Sequence, residues 1–154
     1  MKRINFILTL SLSILFSCSD KESGIKVIFP QTGEPVQITK NGKEHLFASY
    51  YGINSWSKDQ NYATVLETDV KCRLPDENDP ATLGLVEMES HKFIPLTQTK
   101  AWNFQQGCMC HWLGTSPDSL VIYNDLRDGK FVSIIMNVHT QKEQKIIRRT
   151  KGSL

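Results

Sequence analysis

Motifs that announce a chemistry are missing from this chain. It has no G-x-S-x-G nucleophile turn, no H-E-x-x-H zinc pair, no Walker loop and no G-x-G-x-x-G fingerprint. None of the reactions tied to those motifs is indicated. Charge of one sign is also lacking, with 18 Lys and Arg against 16 Asp and Glu. The excess is Lys2 and Arg3 at the extreme N-terminus, so residues 18–154 are neutral and no nucleic-acid partner is implied. Lys145, Arg148, Arg149 and Lys151 could touch anionic lipid, but a solvated end explains them more simply. From Gly33 onward no stretch shows 3.6-residue apolar periodicity, which argues against helices.

One apolar run stands out, Phe6 to Phe16, behind Lys2 and Arg3 and softened only by Thr9, Ser11 and Ser13. It is too short to span a bilayer, which takes about 20 apolar residues, and has the layout of an export signal. A plain secretory signal is the rival reading. Leu15-Phe16-Ser17-Cys18 resembles the bacterial lipobox, in which the cysteine thiol takes up diacylglycerol and cleavage frees an amine for a further chain. Each buried methylene contributes about 0.8 kcal/mol, and two or more chains hold stably. The expectation is a signal peptide over 1–17, a lipid-attached Cys18 and a tether over 18–32, placing the protein in the bacterial envelope with membrane lipid as its first partner. Ser19-Asp20-Lys21-Glu22-Ser23-Gly24 is small and charged, as a solvated spacer should be. It is also similar to the acidic surface-export signals of Bacteroidetes lipoproteins, which would favour the outer membrane or cell surface.

Short β-branched and aromatic runs separated by turn residues fill 33–147, so the fold class read here is all-β. Expected strands are His45 to Tyr51, Tyr62 to Thr68, Thr82 to Met88, Lys92 to Leu96, Met109 to Leu113, Leu120 to Asn124, Phe131 to Val138 and Gln144 to Ile147. Asp128-Gly129 is the cleanest turn signal, since both residues accept the positive φ of a primed hairpin. A faint repeat runs beneath the pattern. Ala63 to Asp69, Leu83 to Glu89 and Phe93 to Leu96 can be laid on Leu120 to Asp125, Phe131 to Asn137 and Gln144 to Ile147. Antiparallel repeats of about 40 to 50 residues suggest propeller blades, while an ordinary sandwich fits the same strands.

Two stretches favour the propeller. Ser55-Trp56-Ser57-Lys58-Asp59-Gln60-Asn61-Tyr62 resembles the W-S-P-D-G turn of TolB-type and WD40-like propellers, with Lys58 for the proline and Gln60 for the glycine. Trp102-Asn103-Phe104-Gln105-Gln106-Gly107 running to Trp112-Leu113, then Ile122-Tyr123-Asn124-Asp125, resembles bacterial propeller proteins similar to oligogalacturonate lyases. The resemblance implies an incomplete β-propeller of two to three blades. Those lyases are seven-bladed enzymes that cleave pectin fragments by β-elimination, with a manganese site contributed by late blades. Here the pattern is lost after Val138, where Gln141 replaces a turn glycine and a basic tail over 148–154 follows, so the end reads as a truncation or frameshift. Closing a ring takes at least about four blades. Open strand edges would then favour pairing with another chain.

Other candidate chemistry is thin. Cys108-x-Cys110-His111 is too tightly spaced for a structural zinc knuckle. A disulfide from Cys72 to Cys108 or Cys110 and free buried thiols are the alternatives. Asp76-Glu77-Asn78-Asp79 lacks the spacing of a calcium loop. Glu87 and Glu89 would share one strand face. His45, His91 and His139 fall near strand ends. Trp102, with Gln105 and Gln106 as hydrogen bonders, is the candidate sugar-stacking group, although core packing also accounts for its ring. No catalytic residue, metal or cofactor is assigned. Two functions remain: a non-catalytic envelope lipoprotein binding at most a glycan or partner chain, or the front of an oligogalacturonate lyase-like enzyme, inactive at this length. Mass spectrometry of the mature N-terminus should find an acylated Cys18; an unmodified Cys18 or a retained leader would contradict the anchor.

Overall fold

Val, Ile, Thr and aromatic side chains pack well on a pleated, half-buried surface, and Asx, Gly and Pro positions end the runs they form. The computed structural model describes residues 33–39 and 42–148; the expected signal peptide, Cys18, the whole tether and the tail beyond 148 lie outside these. The chain divides at Glu34/Pro35, and every described strand belongs to the unit from Pro35 onward. Eight strands form: β1 (Glu44–Phe47), β2 (Tyr62–Thr68), β3 (Ala81–Glu87), β4 (Lys92–Thr99), β5 (His111–Trp112), β6 (Leu120–Arg127), β7 (Lys130–Asn137) and β8 (Lys142–Arg148). They make two four-stranded sheets, β1-β2-β3-β4 and β5-β6-β7-β8, each an antiparallel meander. The all-β expectation therefore holds. Among the described residues there is no helix, hence none long and apolar enough to cross a membrane.

Register decides which side chains meet. In the first sheet Leu66 lies opposite Leu83 and Thr64 opposite Leu85; in the second, Val121 lies opposite Met136 and Tyr123 opposite Ile134. These inner faces belong to one hydrophobic core, in which Leu66, Leu83, Val121, Tyr123 and Ile134 are all completely buried. Burial pushes the Tyr123 phenol up to about 12. Polar bonds stitch the sheets at the crossing from β4. The Thr99 hydroxyl donates to the Asn124 carbonyl at 2.8 Å, and the Lys100 amide donates to the buried Asp125 carboxylate at 3.2 Å. Arg127 closes that carboxylate from the other side and reaches Glu143 at 2.6 Å.

Two expected strands are shorter than their composition suggests. β1 stops at Phe47 because the Ala48 carbonyl is taken by the second sheet, accepting from the Cys108 and Cys110 amides at 3.2 and 2.9 Å. Reaching one oxygen with two amides two residues apart requires the chain to kink between them. Met109 does so at φ +54°, and β5 is left with His111 and Trp112. Gly107 lets the segments touch: a Cβ there would sit 2.4 Å from the Ala48 carbonyl carbon. Pro95 falls within β4, whose outer edge has no strand partner among the described residues and so loses no ladder bond.

Turn chemistry follows the sequence. Asp128 and Gly129 take φ of +53° and +69°, a primed two-residue hairpin between β6 and β7. The loops 88–91 and 138–141 join β3 to β4 and β7 to β8, and each ends on a left-handed residue, His91 at +58° and Gln141 at +55°. Gln60 is left-handed too, at +60°. Both glutamines thus stand where the resembled pattern has glycine, and both adopt the backbone that glycine would. Left-handed φ costs an ordinary residue about 1–2 kcal/mol, whereas glycine loses about 0.4–1 kcal/mol through the freer unfolded chain. Gln141→Gly should therefore stabilise the protein by about 0.5–1 kcal/mol in urea denaturation; a loss of stability would contradict this reading of the turn.

Candidate binding site

Between β1 and β2 the chain leaves the sheet and returns. The Ile53 amide donates to the Tyr50 carbonyl at 3.2 Å, Gly52 turns at φ +76°, and Trp56 rejoins opposite Ala63. The Trp56 amide is fixed by the Asn54 side-chain oxygen at 3.0 Å. A tight turn follows. The Ser57 hydroxyl donates to Asp59 at 2.5 Å and accepts from the Tyr62 amide at 3.0 Å, while the Asn61 amide and side chain donate to the two Asp59 oxygens at 3.0 and 2.7 Å. The Ser57 hydroxyl, and then the Asn61 amide, favour the ionised carboxylate and hold Asp59 below the ordinary carboxylate range. The turn is also tied to the second sheet, since the Asp59 amide donates to the Asp118 carboxylate at 3.0 Å.

This arrangement leaves Trp56 as a wall between two hollows. One, of about 870 Å³, is bordered by Trp112, His111, Met88, Lys58 and Gln60; the other, of about 360 Å³, by Ser49, Tyr50, Tyr51, Phe104 and Gln105. Ile53, Asn54 and Trp56 border both, so the hollows adjoin as the two arms of a groove around Trp56, each open to solvent. Aromatic rings are unusually exposed along it, with Tyr51 77%, Phe104 41% and Trp56 38% accessible. Tyr50 and Tyr51 pack with ring centres 4.4 Å apart. Trp112 is buried and anchored, its indole donating to the Ser55 carbonyl at 3.0 Å. Ser49 borders the smaller hollow, but its hydroxyl is shielded from solvent and has no hydrogen-bond partner among the described residues. Such a group is costly to leave unpaired.

The sugar-stacking candidates are divided by the fold. Trp102 is buried in the core, its indole donating to the Asp79 carbonyl at 2.7 Å, with Phe104 edge-on at 5.4 Å. Gln105 reaches the groove, whereas Gln106 borders a separate hollow beside Trp102. The Asn103 side chain orders both, accepting from their amides at 2.9 and 2.7 Å. Trp56, Tyr51, Ser49 and Asn54 have no motif that marks a site; the available signal is the string of aromatics and small polar residues around Gly52.

The remaining candidates have local roles. Cys72 is exposed, Cys108 and Cys110 are buried, and all three are free, so of the two alternatives the free thiols are found and the disulfide from Cys72 is not. The neighbouring Cys108 thiol, and then burial, push the Cys110 thiol well up, as expected of an inert core cysteine. Asp79 closes an ion-pair clasp with Arg73 at 2.7 Å and accepts from the Asp76 amide at 2.9 Å, which holds its carboxyl down to about 2. β3 ends at Glu87, so Glu89 lies in the hairpin loop rather than on a shared strand face. His45 lies 3.3 Å from the Glu67 carboxylate, and a ring nitrogen of His139 is 2.9 Å from the Asp118 carbonyl. Among the described residues no three His, Cys, Asp or Glu gather as a metal site would require. Compared with protein-family models, curated proteins and solved structures, the chain matches none of them.

Proposed function

We propose that this chain is a lipid-anchored, non-catalytic binding protein, built of two propeller-type blades, that holds a neutral oligosaccharide in the groove around Trp56. The blade reading draws on two successive four-stranded meanders stacked face to face over one core, with matching four-residue hairpins after β3 and β7. The anchor reading draws on Ser17-Cys18 behind the apolar leader.

One observation carries the ligand class: exposed aromatic rings, Trp56, Tyr51 and Phe104, wall a groove whose lining also includes the side-chain amides of Asn54 and Gln105. A sugar ring offers a C–H face that packs on an aromatic ring and hydroxyls that reach polar groups beside it. Apolar walls with a few placed hydrogen-bonding groups are the general form of a small-ligand site. Trp56 and Tyr51 supply the walls, and Asn54 and Gln105 supply the polar groups.

Titration of the full chain with a panel of neutral oligosaccharides, read by tryptophan fluorescence, should give saturable binding. Trp56→Ala should weaken it about tenfold or more, equivalent to roughly 1.4 kcal/mol. Absence of binding across the panel, or unchanged affinity in Trp56→Ala, would refute the assignment.

A further inference from the structure

The polar groups assigned to the ligand above all border the smaller arm of the groove. The larger arm has a set of its own. Trp112, Met88 and Pro117 give it apolar surface, and the indole bond to the Ser55 carbonyl fixes how the Trp112 ring stands. His111 lines the same arm, with Nδ1 3.2 Å from the Met109 carbonyl oxygen. A carbonyl only accepts, so Nδ1 carries the hydrogen, and in the neutral ring Nε2 is left as an acceptor. The kink at Met109 that shortens β5 thus also sets the His111 tautomer. Nε2 has no hydrogen-bond partner among the described residues and is not enclosed by them. Gln60, exposed at the same arm, adds a side-chain amide. Asn54 supplies a donor where the arms adjoin: its side-chain oxygen accepts from the Trp56 amide at 3.0 Å, which leaves its NH₂ group free. At about 870 and 360 Å³, each arm by itself falls within the range of roughly 300–1,000 Å³ that small-ligand sites occupy.

We infer that a linear neutral glycan crosses Trp56 with consecutive sugar units in both arms, and that His111 determines specificity in the larger arm, its Nε2 accepting a hydrogen bond from a sugar hydroxyl. This rests on the groove reading above and adds to it a second subsite and a minimum ligand length. Units in the two arms are covalently linked, so the second is delivered at high effective concentration and its contacts add to affinity. A chain too short to pass Trp56 forgoes that gain. Both arms are open to solvent, so an internal stretch of a polymer fits as well as a free oligosaccharide.

Isothermal titration calorimetry on the full chain in detergent tests this, with linear gluco- and manno-oligosaccharides from the monosaccharide to the hexasaccharide and with soluble glucomannan. Affinity should rise about tenfold or more at the length that first crosses Trp56 and then level off, and the polymer should bind as tightly as the hexasaccharide. His111→Ala, and Gln60→Ala at an exposed side chain, should each weaken hexasaccharide binding about fivefold or more and leave the shortest ligand that binds unaffected. Gln105→Ala, in the smaller arm, should weaken every length. Affinity independent of length, a polymer that is not bound, or wild-type hexasaccharide affinity in His111→Ala or Gln60→Ala would overturn the inference while Trp56-dependent binding upheld the groove reading. Absence of binding at every length, or binding indifferent to Trp56→Ala, would refute the groove reading and the inference with it.

Discussion

The fold depends on the apolar contact between the inner faces of the two meanders. Neither sheet can hide Leu66 and Leu83, or Tyr123 and Ile134, by itself. A four-stranded sheet becomes stable in water when such a face is covered, and here each sheet covers the other. The polar stitching at the β4 to β6 crossing sits at the margin of that contact. The Thr99 hydroxyl and Lys100 amide satisfy the Asn124 carbonyl and the Asp125 carboxylate where water is largely excluded.

The groove is a consequence of the same packing. Because the Ala48 carbonyl serves Cys108 and Cys110 of the second sheet, the chain cannot continue from β1 as a regular strand and must loop out before Trp56 returns. That loop carries Ser49, Tyr51 and Asn54. The tie from the Asp59 amide to Asp118, and the Trp112 indole on the Ser55 carbonyl, fix the chain where that loop returns. Binding residues on a loop, held by a scaffold that is rigid for other reasons, are a common way for a fold to acquire a site.

Much of the fold was legible in the sequence where local pattern and tertiary burial agree. Burial alternates along most of β6 and β7, their turn residues are Asp128 and Gly129, β7 lies within a residue of the expected limits, and β6 starts where expected and runs three residues further. The kink at Met109 and the early end of β1 were not legible, because both are set by one carbonyl accepting from residues some sixty positions away. The site was only partly legible for a related reason. Trp102 and Trp56 are equally aromatic, and only the completed packing decides that the first donates to Asp79 within the core while the second stands half-exposed between two hollows. Gln60 and Gln141 carry a different lesson: a departure from the expected residue can leave the backbone unchanged.

Because each meander covers the other's apolar face, the two form one cooperative unit rather than two independent ones. Native-state hydrogen exchange on the amides of β2, β3, β6 and β7 tests it most directly. The slowest amides of all four strands should exchange through a single global opening with the same free energy. Exchange of β6 and β7 through a separate, lower-energy opening, with β2 and β3 still protected, would contradict it.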